Sequence, residues 1–354
     1  MVNIQGVILA TLGLLLAAIY VDMTSSDVEV PTHNASLASV SVEPRHHPNI
    51  LVLYVTIGLL TGTGFGLTYL PIMTVTKMHF TKNLGLACGI SLAGTGFGQF
   101  VMAPIINVLL DQYNLAVVLY FFAAMFSLSL PFCLLFKIVK YTEKDDISSE
   151  ENVSLSRFLS VLKTPSKMLL VVHVFLLNIG VYAVFTFFAD RAISFGISEG
   201  KAATLVSLMG LANFLARIFS GLIIDKFRSK TIIILTSVHL INGVSILLSQ
   251  FLKSFPAQLT AALIFGAGFG TKVTCMVVLV SIIDTNITHL LSLIYLSVGV
   301  ASLIGPSLAG WLLDITGSHL AGFLLVSVVF ILGALCLPLS WKLHNRQTIY
   351  STKL

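Results

Sequence analysis

About ten apolar runs of roughly twenty residues recur along the chain, and they leave it few ways to fold. At about 1.5 Å per residue, a helical run of that length crosses roughly 30 Å of hydrocarbon. Lipid offers the backbone no hydrogen-bond partners and the alternating pattern of a barrel strand is absent, so the runs read as helices. Composition agrees: 56% of residues are hydrophobic and 10% are charged, against a charged fraction of about 25% in soluble domains. The expected fold class is therefore an all-α polytopic membrane protein, and a soluble fold is excluded.

The expected spans cover 1–20, 50–76, 84–110, 115–138, 168–189, 202–224, 231–251, 257–283, 290–313 and 320–339. No Lys or Arg precedes the first run, as a cleaved leader would require, so it too reads as a span. The longest strongly charged segment, 139–167, divides four spans from six. This predicts an N-terminal bundle at 1–138 with a polar loop at 22–49, a hydrophilic linker at 139–167, a C-terminal bundle at 168–340 and a polar, basic tail at 341–354. The tail carries no recognised anchor or retention signal. Lys77, Lys82, the linker, Lys226 to Lys230 and the tail all fall on one side if the spans alternate, and positive-inside bias makes that side cytoplasmic. Both termini are then cytoplasmic and the loop 22–49 is outside. Its acceptor sequence at Asn34 would be open to glycosylation, whereas those at Asn152 and Asn286 face the cytoplasm.

Several function classes fall away on the same reading. The formal charge of +5 is scattered among loops and helix ends instead of forming a stripe, so it is no nucleic-acid footprint. No nucleophile elbow, zinc-protease helix or paired intramembrane aspartates supports an enzyme. No cofactor is expected. His33, His46 and His47 share the polar loop and are of a type that binds metal, but they read as part of a solvated loop, and no metal site is expected. Cys88, Cys133, Cys275 and Cys336 fall in apolar spans without close pairing and read as packing residues. Gly58, Gly62, Gly64 and Gly66, then Gly85, Gly89, Gly94, Gly96 and Gly98, lie within apolar helices and therefore suggest close helix packing, not a phosphate cradle.

One guanidinium sits inside an otherwise apolar run. Arg217 follows Asn213 by four residues, so both project from one helix face. An arginine at membrane depth costs about 2.5–3.5 kcal/mol on insertion scales, which turns it toward a cavity or a partner. Its planar fork suits the two oxygens of a substrate carboxylate; the other reading pairs it with backbone carbonyls or a polar neighbour in the bundle. Lys272, deep in its span after Gly266, Gly268 and Gly270, is a second candidate cation. His173 and His239 either shuttle protons or pack as satisfied core side chains. Tyr69, Asn178 and Tyr182 are candidates to line a path.

Local motifs carry a family resemblance. The run from Gly221 through Asp225, Lys226 and Arg228 to Lys230 resembles the G-x-x-x-D-[RK] loop motif of the major facilitator superfamily. His79, Phe80 and Lys82, followed by Leu86, Ala87, Gly89, Ala93 and Gly94, resemble the loop and fifth-helix signature of the monocarboxylate transporter family. Gly305 with Pro306, Gly310 with Trp311, and the segment from Asp314 to Gly317 are similar to the end of that family's eleventh helix. The resemblance covers almost all of the chain except 22–49. It sets the span 1–20 beside the family's third helix, so a shortened member without counterparts of the first two helices is the expectation. Proton-coupled members carry Asp where Asn213 stands here; Asn does not titrate, so weak dependence of uptake on a pH gradient is expected. The basic cluster after Phe80 is reduced to Lys82 and Asn83.

What the resemblance implies is a secondary transporter that moves a monocarboxylate or related small organic anion or zwitterion across the plasma membrane by rocking of two halves about a midplane site. The expected substrate contacts are Arg217, Asn213, Lys272, Tyr69, Asn178 and Tyr182. Gly221, Asp225, Lys226 and Lys230 form the gating motif, and Phe80, Lys82, Gly89 and Gly94 the family signature. An ancillary single-span membrane glycoprotein, which some members need for surface delivery, is an implied partner beside the lipid bilayer. The alternative is a non-transporting shortened form that assembles with another membrane protein or is retained inside the cell.

Overall fold

The computed structural model describes residues 2–26, 49–80, 82–138, 163–283 and 287–351. Asn34, His33, His46, His47, Asn152, Asn286 and nearly all of the linker therefore lie outside the described residues. Among the described residues, regular structure is wholly helical: α1 (Val2–Ser26), α2 (Ile50–Leu53), α3 (Gly62–His79), α4 (Leu84–Gln112), α5 (Leu115–Ser127), α6 (Ser129–Ile138), α7 (Pro165–Ser194), α8 (Glu199–Lys226), α9 (Thr231–Leu248), α10 (Phe255–Ile283), α11 (Ile287–Thr316) and α12 (His319–Ser351). A π-helical stretch, Tyr54–Thr61, joins α2 to α3, and a single 3-10 turn, Arg228–Lys230, precedes α9. By length and composition, ten segments of the described chain can cross a membrane.

The helices overrun the apolar runs because backbone bonding continues where side chains turn polar. Thus α12 carries on through the first part of the expected tail to Ser351, and α1 enters the expected loop as far as Ser26. Sequence-local caps set other ends. Asn49 Oδ1 accepts from Leu51 N at the start of α2, Asn114 Oδ1 accepts from Val117 N at the start of α5, and Pro165 opens the first turn of α7. Within the run 50–76 the helix widens: Thr61 Oγ1 donates to the Thr56 carbonyl 3.0 Å away, five residues back, in register with the π repeat.

The chain divides into two compact units. The first holds Met1–Met78 and Ile105–Ser148, the second His79–Pro104 and Ser149–Leu354, so the front of α4 belongs with the C-terminal helices. In the first unit, Leu14, Ala17 and Ala18 of α1 bury against Ala116, Leu119 and Ala123 of α5. Gly64 of α3 sits against the backbone of Gly6 and Ala10.

In the second unit α8 packs on α10, α7 on both α11 and α12, and α9 on α12. Lipid removes the hydrophobic drive between helices, so their association depends on close packing. Phe188, Phe265 and Phe330 are fully buried there, and Gly180 lies beneath the Phe330 ring, where an added Cβ would come within 2.6 Å. Not every glycine of the two rich runs serves this end. Cβ atoms at Gly58, Gly62, Gly66, Gly94 and Gly98 would meet nothing within 4 Å among the described residues, whereas Gly85, Gly89 and Gly96 each touch α8.

Candidate functional site

Two buried cations of the second unit lie around one aromatic ring. Arg217 Nε on α8 donates to Asn213 Oδ1 at 2.8 Å, the bond that their one-turn spacing allows. Lys272 Nζ on α10 donates to Asn178 Oδ1 on α7 at 2.7 Å. Asn178 is held in turn by its own amide nitrogen, which donates to the Val174 carbonyl at 2.6 Å. The Arg217 guanidinium carbon and Lys272 Nζ each stand 5.6 Å from the centre of the Phe269 ring. Cation–π contact of this kind is worth about 0.5–2 kcal/mol, more as water is excluded.

Small residues make the approach possible. A Cβ at Gly270 would lie 2.5 Å from the Asn213 carbonyl, and one at Gly266 would overlap that of Met209, so α10 meets α8 backbone to backbone at this level. Thr274 Oγ1 also donates to the Arg217 carbonyl at 3.3 Å. All four polar side chains are almost completely buried, with Arg217 and Asn213 2% exposed, Asn178 3% and Lys272 4%. The acceptors of Arg217 Nε and Lys272 Nζ are neutral amide oxygens, which orient a cation without cancelling its charge. The arrangement gathers two basic side chains at one buried position, a chemistry suited to a ligand that brings negative charge.

Of the remaining candidates, Tyr182 is half-buried one turn beyond Asn178 on α7, and Tyr69 is half-buried on α3 of the first unit. The Gly221 to Lys230 motif makes definite contacts. Asp225, at the end of α8, accepts through Oδ1 from Gly85 N and through Oδ2 from Leu86 N, both at 2.8 Å. Those are donors that the first turn of α4 leaves unpaired, and the carboxylate also meets the positive end of that helix. Gly221 and Gly85 face one another, each too close to the other's carbonyl for a Cβ. Gly89, one turn on, packs against the carbonyl of Arg217 itself. The family-motif glycine thus touches the turn that carries the guanidinium. Lys226 and Lys230 are exposed and lie over Phe227, while Phe80 and Lys82 are exposed at the start of α4. Gly94 is open among the described residues.

One buried charge escaped the sequence reading. Arg191 was expected in a loop after the span 168–189, but α7 runs to Ser194 and encloses it completely. Its Nη1 donates to Ser249 Oγ at 3.1 Å, its Nη2 to Gln258 Oε1 at 2.7 Å, and its Cζ lies 4.0 Å from the centre of the Phe323 ring. Gln258 in turn donates to the Ser249 and Leu252 carbonyls, tying down the turn between α9 and α10. The only advance signal was a basic residue at the edge of an apolar run, which ordinarily marks a helix leaving the membrane.

Ten span-length segments among the described residues, with buried charge at helix-packing positions, describe a polytopic membrane protein. The chain belongs to the major facilitator superfamily, whose sequence profile matches residues 4–283. It is similar to Monocarboxylate transporter 12 of Rattus norvegicus, 28% identical over 321 residues that cover 80% of this chain and 65% of that protein. The Homo sapiens Monocarboxylate transporter 12 is 29% identical over 319 residues, 80% of this chain and 61% of the relative. Monocarboxylate transporter 13 of Rattus norvegicus is 26% identical over 285 residues, with coverage of 80% and 65%. The chain therefore spans less than two thirds of the length of these relatives. An outward-conformation structure of the major facilitator transporter FucP superposes with a TM-score of 0.68 at 16% identity, covering 96% of this chain and 82% of FucP. A XylE structure gives 0.60 at 16% identity, covering 97% and 84%. The resemblance read from the Phe80 to Gly94 and Gly221 to Lys230 motifs is borne out, and the relatives are transporters, not enzymes.

Proposed function

We propose that this chain carries a small organic anion, a monocarboxylate or a related metabolite, across the plasma membrane by alternating access, with Arg217 receiving the carboxylate. The observation that carries the reading is the pair of buried cations, Arg217 and Lys272, set around Phe269 with amide oxygens as acceptors. Asn213 and Asn178 orient the two cations, and Tyr182 and Tyr69 line the substrate's path. Asp225 fastens α8 to α4 beside the Arg217 turn, so the gating motif reports on the position of the binding residue. The domain bounds 1–138 and 168–340, cytoplasmic termini, a glycan on Asn34 and an ancillary single-span glycoprotein complete the proposal.

The test is uptake of a labelled panel of monocarboxylates and amino acids into vesicles containing the purified chain. Saturable uptake that Arg217→Gln abolishes, while the variant still folds and inserts, is the expected result. Normal uptake by Arg217→Gln removes the central residue from the mechanism. Absence of uptake across the panel from a correctly folded preparation favours the non-transporting alternative.

A further inference from the structure

Two buried histidines are left unused by the proposed anion site. His173 of α7 and His239 of α9 are 0% and 1% exposed, and their rings meet edge to face with centroids 5.2 Å apart. His173 Nδ1 lies 2.7 Å from the carbonyl oxygen of Gly333 on α12. A carbonyl only accepts, so Nδ1 holds the hydrogen and Nε2 keeps the basic lone pair. That nitrogen has no hydrogen-bond partner among the described residues, and neither does either ring nitrogen of His239. Thr236 Oγ1 and Asn242 Oδ1, one turn to either side of His239 on the same face of α9, are also without partners there. Histidines kept for packing alone would have satisfied nitrogens. These instead present a cluster of donors and acceptors with open capacity.

The cluster is continuous with the cation pair. Asn242 packs on Gly268 of α10, where any Cβ would run into its amide. Lys272 follows Gly268 by one turn on the same face and donates to Asn178, which shares α7 with His173. Lys272 is the charged side chain that acts on both rings, and Arg217 of α8 acts in turn on Lys272. From α12 the pair meets the Gly333 carbonyl.

We propose that His173 and His239 form a buried proton-binding site, with Nε2 of His173 and the ring of His239 as its two neighbouring acceptors, linked through Lys272 to the anion position. The link rests on reading Arg217 and Lys272 as anion contacts; the proton site does not. Positive charge on the ring pair and an anion between the two cations attract, so each favours binding of the other. The pair supplies α7 and α9 with the titratable group that Asn213 cannot provide on α8.

The deciding measurement is nitrogen NMR of the whole chain, isotope-labelled at histidine, in lipid nanodiscs between about pH 5 and 8. Ring signals are assigned by their loss in His173→Asn and His239→Asn. In the unsubstituted chain both rings should change protonation over one shared range, and His239→Asn should move the His173 midpoint by about one pH unit or more. Rings that keep a single neutral tautomer throughout, or that titrate independently, overturn the site. Lys272→Met should shift the shared midpoint by a similar amount; an unmoved midpoint overturns the link. None of these readouts requires transport, so they stand apart from the Arg217→Gln uptake result. The unsubstituted spectrum decides the central claim even if a variant fails to fold.

Discussion

Replacing Asp225 by Asn tests whether the gating motif holds α4 to α8. The carboxylate accepts two backbone bonds of 2.8 Å from Gly85 and Leu86. A bond to a charged group contributes about 1.5–3 kcal/mol, and a negative charge at a helix N-terminus a further 0.3–1 kcal/mol or so. Asparagine keeps one oxygen, so one neutral bond of about 1 kcal/mol survives, while its amide group faces the other N–H and leaves that donor unpaired. Asp225 is only partly buried, so the lower end of these ranges applies and the expected loss is about 2 kcal/mol. Thermal denaturation of the purified protein in detergent should show Asp225→Asn melting about 3 °C below the parent. Lys226→Gln, one residue on and exposed, should stay within experimental scatter of it. If the two variants melt together, the two short bonds do not fasten these helices.

Other substitutions separate clamp from site. Gln258→Leu removes the acceptor of a fully buried guanidinium and should cost about 2–3 kcal/mol in the same melting assay, with Arg191→Leu less damaging because it also removes the stranded charge. Gly268→Ala should destabilise the fold through its clash with the Asn242 amide, and Asn242→Ala in the same chain should recover much of the loss. Gly89→Ala should lower both stability and uptake, because the new methyl meets the Arg217 carbonyl. Gly94→Ala meets nothing within 4 Å among the described residues and should gain about 0.5–1 kcal/mol as a helix-interior glycine replaced.

What the sequence made legible was mostly what obeys local rules. Span number followed from run length, and the Arg217 to Asn213 bond from a spacing of one turn. The Asp225 motif was visible as a charge cluster, but its partners lie 140 and 139 positions away and no local pattern names them. The same holds for Lys272 and Asn178, 94 positions apart on different helices. Rotation about a helix axis decides which polar residues meet, and an apolar run gives little periodicity from which to read that rotation. The glycines show this limit sharply: Gly89 and Gly94 look alike in sequence, yet one abuts the α8 backbone and the other is open. Arg191 was missed for a different reason. Hydropathy ends a span where charge begins, whereas the helix continues as long as its polar groups find partners.

Arg191 and Arg217 show how chemically similar buried groups divide into structure and site. Both bond to amide oxygens, Arg191 to Gln258 and Arg217 to Asn213. Arg191 is boxed by Phe188, Phe195 and Phe323, and its two terminal nitrogens are committed to Ser249 and Gln258. Such a guanidinium has its charge spread over rings and its bonding geometry fixed by an interhelical turn, so exchanging those partners for a ligand would open the helix ends. Arg217 shares the ring of Phe269 with a second basic side chain, and like charges at one ring repel. In the function proposed here, repulsion between Arg217 and Lys272 is relieved by an arriving anion, and this difference, not burial or residue type, is why substrate binding is proposed at Arg217 and not at Arg191.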